Sequence, residues 1–172
     1  FFEKLGEGEK EKLRNKYKIN DEELERWRHI SSQLLVRVND DGIIEQFRGY
    51  FDLKELDWDA YRKKYGDIHR LDRILKAEGK SPDDYKLAKQ ADLLMVFYNL
   101  GFEKADQIFR KLGHELPGDY IRRNFEYYIA RTSHGSTLSR LVHADLAYRL
   151  GDSEKAWGMY MEALSSDLVD IQ

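Results

Sequence analysis

The stretch Leu138–Ser166, LSRLVHADLAYRLGDSEKAWGMYMEALSS, decides the fold class, because it contains two helical patterns and the turn between them. Both patterns carry the apolar spacing of amphipathic helices. Gly151-Asp152 interrupts them with residues typical of turns, and Ser153 is placed to act as the N-cap of the second helix. The sequence therefore predicts helices over 138–150 and 153–166, joined as an antiparallel pair.

The same helical period runs through most of the remaining chain. It predicts helices over 85–100, 102–112 and 117–129, an earlier helix from 24 to 38, and a short helix near 58–65. Residues 43–47 are too few for a helix and are predicted to be extended. Since no stretch alternates convincingly with a period of two, the predicted class is mainly α.

Two of the predicted turns resemble each other. Tyr98–Ala105 and Tyr148–Ala156 share a pattern of Tyr, Leu-Gly and Glu-Lys-Ala, with one residue inserted in the second. Such a pattern also occurs in tetratricopeptide arrays, so a helical-repeat module that binds a partner protein is a serious alternative to an enzyme. However, Gly101 and Gly151 lie 50 residues apart, whereas tetratricopeptide repeats recur at about 34. The spacing favours larger helical hairpins, as in a ring of paired helices.

The composition excludes several classes of function. The chain has 172 residues, a formal charge of −3 and no cysteine. The near balance of charge argues against nucleic acid or anionic membranes as partners, and the lack of cysteine excludes disulfides and thiolate metal sites. The five histidines show no metal-ligand spacing, so we expect no metal. Without a long apolar run or a signal-peptide pattern, we expect a cytoplasmic protein.

Residues 49–80 form an aromatic-rich segment without a clean period. Long connections inside a compact domain are often functional, and aromatic rings could line a sugar site. Filling of the core beneath a long loop is the favoured interpretation of these rings. The part from Gly66 to Asp84 could help to shape a site.

The loop Arg131–Ser139, RTSHGSTLS, is the most unusual segment of the chain. It places hydroxyl groups, a histidine and a glycine directly before a predicted helix, whose first N–H groups lack partners within the helix. Together with the positive end of the helix dipole, such groups suit a phosphate. The alternative is that Ser and Thr merely cap the helix. A Walker loop is excluded, because the Gly-Lys-Ser/Thr ending is missing.

A second candidate is the polar run Lys89-Gln90-Ala91-Asp92 in a predicted apolar helix. Long polar side chains at this point could reach into a cavity and bind hydroxyl groups. The alternative is that Lys89 extends to solvent and that Asp92 pairs with it or with another helix.

Taken in order, four blocks of this sequence resemble the disaccharide phosphorylases of glycoside hydrolase family 65, which include maltose, trehalose and kojibiose phosphorylases. The blocks are Glu45–Leu53 (EQFRGYFDL), Lys89–Asp92 (KQAD), Asn124–Tyr128 (NFEYY) and Arg131–Ser139 (RTSHGSTLS). The resemblance covers residues from about 24 to 172. Each block alone is a weak signal, but their series is specific.

The resemblance implies a fold and a reaction. The fold is an (α/α)6 barrel, of which this chain would supply about half, as a single segment of a catalytic domain over 1–172. In the reaction, inorganic phosphate attacks the anomeric carbon of an α-linked glucoside with inversion, and β-glucose 1-phosphate is released. Phosphate is a substrate, and no cofactor is implied.

The resemblance also implies site residues. Lys89 and Gln90 correspond to the pair that holds the glucosyl unit, and His134, Gly135, Ser136 and Thr137 correspond to the loop that holds phosphate. The partners would be an α-linked glucose disaccharide, phosphate and the remainder of the parent chain.

Two blocks of the family pattern are missing from this chain. The family's general acid is a Glu in an Asp-Glu-Tyr context, which is followed by an Asn-Ala-Tyr-Thr-Asn block, and neither is found here. The chain is therefore expected to be a fragment that is inactive alone and carries no catalytic acid. Smaller departures are Arg48, where the family often has an acidic residue, and Thr137 in place of Ser.

Several alternatives stay open at the level of the sequence. A hydrolase of the same family is disfavoured, because it would need a carboxylate base and would have no use for a phosphate loop. A half barrel would expose a large apolar face unless the rest of the protein or a homodimer covered it. The sequence does not identify the disaccharide linkage.

Overall fold

The computed structural model describes residues 2–169, without the side chains of Glu3 and of residues 166–169. Its described part is mainly helical, which confirms the predicted class. The helices are α1 Glu7–Tyr17, α2 Asp21–Ser32, α3 Trp58–Tyr65, α4 Leu71–Ala77, α5 Met95–Leu100, α6 Phe102–Lys111, α7 Tyr120–Ile129, α8 Thr137–Arg149 and α9 Ser153–Val169. Short 3-10 turns lie at Phe2–Lys4, Tyr50–Asp52 and Pro82–Asp84.

The chain divides into two compact units, residues 1–35 and residues 36–172. In the first unit, α1 ends at Lys18, which adopts the left-handed conformation. The Asn20 side chain then accepts a hydrogen bond from the Glu23 N–H (2.8 Å) and so caps α2. Arg14 and Asp21 form an ion pair across this turn, at 2.7 Å.

Helix α2 ends at Ser32, so the predicted helix to residue 38 is wrong beyond that point. The Ser31 and Ser32 hydroxyls donate to backbone carbonyls three residues earlier (2.9 and 2.8 Å), a local alternative to continuing the helix. Val38 instead forms an antiparallel bridge with Ile44, and Val38 packs against the core of the second unit. This bridge agrees with the extended conformation predicted for residues 43–47.

The main core of the second unit lies among α5, α6, α7, α8 and the segment before them. Its buried residues are Ile43, Ile44, Tyr50, Ala91, Leu94, Phe97, Ala105, Phe109, Tyr120, Phe125, Tyr128, Val142, Leu146, Ala147 and Ala156. Asn124, which is fully buried, ties α7 to the turn before Ile44: it accepts from the Ile44 N–H and donates to the Gly42 carbonyl, both at 2.8 Å. The Tyr128 hydroxyl donates to the Ile44 carbonyl.

The aromatic-rich segment 49–80 contributes to the core, which agrees with the favoured interpretation of its rings. Tyr50 belongs to the main core, and a second cluster gathers Leu56, Tyr61, Ile68, Leu71 and Leu75. Helix α3 has the predicted bounds of 58–65, whereas α4 was not predicted. Helix α4 is only seven residues long, too short for its apolar period to stand out from the irregular sequence around it.

The predicted helix over 85–100 is correct only from Met95 onward. Residues 85–94 are irregular because their backbone is paired elsewhere. Lys54 bridges Tyr85, and Ala88 bridges Thr132. These long-range hydrogen bonds replace the local helical ones that the apolar spacing favours.

The two similar turns join helices as predicted. Gly101 and Gly151 have φ of 76° and 83°, values that favour glycine. They separate α5 from α6 and α8 from α9, and α8 and α9 pack extensively along each other. The capping residue of α9 is Asp152 rather than the predicted Ser153, because its carboxylate accepts from the Lys155 N–H at 3.1 Å. Helix α7 begins at Tyr120, three residues after the predicted start.

We expect Asn124→Ala to lower the free energy of unfolding of the 172-residue chain by about 3 kcal/mol. The substitution would leave the Ile44 N–H and the Gly42 carbonyl buried without their partner, at a cost of about 1–3 kcal/mol for each group. Urea unfolding measures the change. Asn99→Ala, at an exposed position of α5, is the matched control and should change stability little. Equal effects of the two substitutions would contradict this role of Asn124.

Candidate functional site

The two sequence-predicted site segments lie side by side. The Ala88 N–H donates to the Arg131 carbonyl at 2.8 Å, and the Ser133 N–H donates to the Ala88 carbonyl at 2.9 Å. The Gly135 N–H then donates to the Lys89 carbonyl at 3.2 Å. This short parallel pairing brings Lys89 against the loop that precedes α8.

A third stretch of chain, His69-Arg70, packs next to Gly135. A Cβ atom at this position would lie 2.7 Å from the His69 carbonyl oxygen, 3.6 Å from Lys89 Cγ and 3.8 Å from Arg70 Cδ. The first distance is too short for any side chain, so the residue must be glycine because of close packing. The loop, Lys89 and the stretch His69-Arg70 therefore meet at one point.

The first residues of the loop have structural partners. Arg131 pairs with Glu55 (3.1 Å) and lies over the Tyr127 ring, with its guanidinium carbon 3.7 Å from the ring centroid. The Thr132 hydroxyl donates to the Tyr128 carbonyl at 2.7 Å. These contacts fix the first residues of the loop, and His134, Gly135, Ser136 and Thr137 follow at the start of α8.

His134 is held in a defined orientation. Its backbone has φ of 52°, which is uncommon for a residue other than glycine, and its ring meets the His143 ring edge-on at a centroid distance of 4.6 Å. The Ser139 Oγ lies 3.3 Å from His134 Nδ1. Burial, followed by the neighbouring His143, Arg140 and His69, lowers the pKa of His134 to about 3. The ring is therefore neutral at physiological pH.

The hydrogen bonds around His143 fix its own tautomer and place the Ser139 hydroxyl beside His134. His143 Nδ1 lies 2.7 Å from the Ser139 carbonyl, an acceptor, so Nδ1 is the protonated nitrogen of His143. The Ser139 hydroxyl lies within hydrogen-bond distance of His134 Nδ1, at 3.3 Å. When this hydroxyl donates to Nδ1, His134 carries its proton on Nε2 and can donate it to a ligand.

The start of α8 offers further donors. Ser136 is the N-cap residue by position, but its side chain makes no capping hydrogen bond within the described part of the chain. The simple capping interpretation therefore does not account for Ser136. The N–H groups of the first turn and the helix dipole make this end of α8 favourable for an anion.

Basic side chains surround the loop. The aliphatic stem of Lys89 lies next to Gly135, where an added Cβ would meet it, and Arg70 lies beside the same position, paired with Asp72 at 3.3 Å. Arg140 is buried in the first turns of α8, and its charge helps to lower the pKa of His134. These cations can attract a phosphate to which the neutral His134 donates a hydrogen bond.

Gln90 lies beside a carboxylate rather than on the loop. Its side chain hydrogen-bonds Asp92, which also accepts from Gln46 Nε2 at 3.4 Å. Burial raises the pKa of Asp92. Lys89 and Gln90 are both exposed. Two amides and a carboxylate at one place are suited to binding the hydroxyl groups of a ligand.

Sequence reasoning missed His69, Arg70, Arg140 and Gln46 as parts of this site. The sequence indicates Gly66–Asp84 only as a stretch that could shape the site. Arg140 follows Thr137 by three residues and so lies near the start of α8, a spacing that could have indicated it. His69 and Arg70 reach the loop through tertiary packing alone, for which the local pattern carries no signal.

Among residues 2–169, no helix is both long enough and apolar enough to cross a membrane. In the same described part, no three His, Asp or Glu side chains gather as metal ligands. The expectations that the protein uses no metal and no cofactor stay predictions.

The comparison with known families places this helical chain in a class of carbohydrate-active enzymes. The profile of the "Glycosyl hydrolase family 65 central catalytic domain" matches residues 3–172, and the chain belongs to this family. Its relatives include the trehalose 6-phosphate phosphorylase of Lactococcus lactis subsp. lactis, which is 47% identical over 91% of this chain and 20% of that protein. The kojibiose phosphorylase of Thermoanaerobacter brockii is 30% identical over 93% of this chain and 19% of its own length.

A solved structure from the human microbiome, which bears a provisional name as a kojibiose phosphorylase, shares the fold. Its TM-score is 0.60 at 21% identity, over 87% of this chain and 19% of that one. The mainly helical chain is thus a portion of the predicted (α/α)6 fold. It spans about a fifth of the length of the curated relatives that it matches.

The free energy of unfolding should fall as the pH decreases from 7 to 5. The pKa of His134 and that of His143 are both lowered in the folded state, first by burial. Below pH 6.5 the unfolded histidines bind protons that the folded ones do not, so stability present at pH 7 is lost. The loss is at most about 1.4 kcal/mol per pH unit for each histidine.

Urea unfolding of the chain at pH 7, 6 and 5 measures this dependence. The variant His134→Gln should show a shallower fall, because one of the two histidines no longer contributes. The exposed His29 provides the control variant His29→Gln. If His134→Gln leaves the pH dependence unchanged, His134 is not neutral in the folded protein.

Gly135→Ala should destabilise the chain by about 1–3 kcal/mol, since the added methyl group would force the loop away from the His69 carbonyl. Thermal unfolding compares it with Gly118→Ala, where an added Cβ meets no atom within 4 Å. A Gly135→Ala variant as stable as Gly118→Ala would show that the close approach of the three segments does not occur.

Proposed function

We propose that this chain carries the phosphate loop and the glucosyl contacts of an inverting α-glucoside phosphorylase. The observation that carries the proposal is the backbone pairing of Lys89 with Gly135, which joins the two segments required for glucose and for phosphate. Two relatives of this chain are named as phosphorylases of trehalose 6-phosphate and of kojibiose.

In this proposal, phosphate lies at the start of α8. Its oxygens accept hydrogen bonds from the His134 Nε2–H and from the hydroxyl groups of Ser136 and Thr137. The N–H groups of the first turn of α8 donate to it as well. Lys89, Arg70 and Arg140 supply positive charge nearby. Because His134 is neutral, it orients the phosphate without neutralising its charge, so the attacking oxygen stays nucleophilic.

The reaction then needs no protein nucleophile. A phosphate oxygen forms a bond to the anomeric carbon while the glycosidic C–O bond breaks, and the electron pair of that bond moves to the leaving oxygen. A general acid on the opposite face of the sugar protonates that oxygen. We propose that this acid is a Glu outside the present chain, so that the chain alone is inactive.

Lys89 and Gln90 would hold the glucosyl unit between these two faces. The amide of Gln90 and the carboxylate of Asp92 lie together and can bind adjacent hydroxyl groups. Lys89 would link the sugar to the phosphate loop. The expected product is β-glucose 1-phosphate.

Trehalose 6-phosphate is the first disaccharide to test, because the relative that is 47% identical is named for its phosphorolysis. Kojibiose is the second disaccharide to test, because a relative that is 30% identical is named for its phosphorolysis. Maltose, trehalose and nigerose complete the panel as other α-linked glucosides.

Helices α8 and α9 expose apolar side chains, as expected of a chain that forms only part of a barrel. Large apolar residues are exposed there, namely Leu138, Leu141, Tyr148, Trp157, Tyr160 and Leu164. The remainder of the parent protein, or a second copy in a homodimer, would cover them. The alternative proposal, a non-catalytic interaction module, rests on this face and on the two similar turns, and it leaves the features of the His134 loop unexplained.

The proposal is tested by phosphate-dependent release of glucose 1-phosphate from the panel. The longest gene product that contains this chain should be active on at least one disaccharide, and the 172-residue chain should be inactive. No activity of the long form on any α-glucoside would overturn the proposal, whereas release of free glucose without phosphate would assign a hydrolase.

In the active long form, His134→Ala should raise the KM for phosphate at least about tenfold, because a hydrogen bond to a charged group contributes about 1.5–3 kcal/mol. The KM for the disaccharide should change far less. His29→Ala is the control. If His134→Ala keeps the wild-type dependence on phosphate, the loop does not bind it.

A further inference from the structure

A histidine and a carboxylate to which the proposed reaction gives no role lie in the turn between α3 and α4. Ile68, at the middle of this turn, is buried in the second cluster, together with Leu71 and Leu75. Asp67 and His69 flank it, and their side chains are 76% and 51% exposed. Because Ile68 fixes the backbone of the turn, its two polar neighbours are held together at the surface.

Asp67 orients the ring of His69. Its Oδ1 atom accepts a hydrogen bond from the His69 backbone N–H at 2.8 Å and lies 2.9 Å from His69 Nδ1. This backbone hydrogen bond lowers the pKa of Asp67, burial opposes it, and the charges of His69 and Arg140 lower the pKa further. The Asp67 side chain is therefore a carboxylate at neutral pH, and a carboxylate only accepts hydrogen bonds.

The tautomer of His69 follows from this contact. Since Asp67 can only accept, His69 Nδ1 is the nitrogen that carries a proton and donates it. In the neutral ring, Nε2 is then the acceptor nitrogen. This is the opposite of the arrangement proposed for His134, whose Nε2 donates to the phosphate.

His69 lies next to the loop that contains His134. Its carbonyl oxygen would be 2.7 Å from a Cβ atom at Gly135. Burial lowers the pKa of His134 most, and the charge of His69 adds to this effect, so the two rings are close enough to interact. Arg140 interacts electrostatically with both Asp67 and His134. These four side chains therefore form one cluster of titratable and charged groups at the loop.

A phosphate bound at the loop needs an acceptor as well as donors. The dianion HPO4²⁻ carries one P–O–H group, whereas His134, Lys89, Arg70 and Arg140 are all donors in the proposed site. When another oxygen of this dianion bonds to the anomeric carbon, the ester that forms still holds the P–O–H proton. A phosphate monoester has a second pKa of about 6, so this proton is released at neutral pH.

We propose that His69 binds the P–O–H group of the phosphate through Nε2 and accepts its proton as the ester forms, and that Asp67 is the positioning residue for this ring. The O–H bond of the phosphate breaks, an N–H bond forms at Nε2, and the Asp67 carboxylate stabilises the imidazolium. The inference rests on the proposed phosphorylase function, which sets phosphate at the loop.

The proton balance of the reaction closes through His69. Because half of its side chain is exposed, the imidazolium passes the proton to water. This proton replaces the one that the general acid gives to the leaving sugar, so the reaction neither gains nor loses a proton. In the direction of synthesis, His69 returns a proton to the phosphate.

In the longest gene product that contains this chain, His69→Ala should lower kcat for phosphorolysis at least about tenfold, because a positioned proton acceptor contributes about 10²–10⁴-fold to a rate. The KM for the disaccharide should change little. Added imidazole should restore part of the lost kcat, which a merely structural role of His69 would not allow. His29→Ala, at an exposed histidine of α2, is the matched control.

His69→Gln is the second variant and keeps the proposal testable if His69→Ala does not fold. Its amide oxygen can accept a hydrogen bond from the phosphate but is a poor proton acceptor, so kcat should again fall at least about tenfold. The KM for phosphate should stay closer to that of the wild type than in His69→Ala.

Asp67→Asn tests the positioning role. The variant should lower kcat at least about fivefold, because an amide does not stabilise the imidazolium. Combined with His69→Ala, it should cause no further loss, since Asp67 acts through His69. Asp59→Asn, at an exposed carboxylate of α3, is the matched control.

The possible failures are distinguishable. If the long form is active on a disaccharide and His69→Ala keeps the wild-type kcat, the proposal for His69 is wrong and the phosphorylase function stands. If His69→Ala raises only the KM for phosphate, His69 binds phosphate without taking its proton, and the proton transfer is overturned. A loss of kcat that imidazole does not restore and that Asp67→Asn deepens would assign a structural role and also overturn it.

If neither phosphorolysis nor synthesis occurs with any sugar, the proposed function fails, and the role of His69 in that reaction fails with it. This outcome is recognised in the wild-type protein, before any variant is compared.

Discussion

The backbone pairing of Ala88 and Lys89 with the loop before α8 is the interaction on which the candidate site depends. It uses three hydrogen bonds between segments more than 40 residues apart in sequence. Local hydrogen bonds of a helix are given up to make it, and the run before Met95 is irregular as a result. Without this pairing, Lys89 and His134 would have no reason to lie near each other.

Close packing and electrostatics then define what the paired segments can do. Gly135 allows the His69 carbonyl to approach, which brings basic side chains to the loop. Burial against His143 keeps His134 neutral, and the Ser139 hydroxyl lies within hydrogen-bond distance of its Nδ1. The result is a site with positive charge on its lysine and arginine side chains and a neutral histidine between them.

Sequence patterns located the long, regular elements well. The turns at Gly101 and Gly151 and the bounds of α3 were predictable, because their signals are local: helical periodicity and glycine at turns. Patterns failed where tertiary contacts replace local ones, as in the run before Met95. They also failed for α4, whose seven residues are too few to show a period.

The sequence by itself determined the helical class, the family resemblance and the residue types of the phosphate and glucose segments, since these depend on composition, spacing and order along the chain. Only the tertiary structure decided that Lys89 lies in an irregular segment and that His69 and Arg70 join the loop. Contacts between distant segments arise from packing and long-range hydrogen bonds, and the order of residues along the chain does not record them.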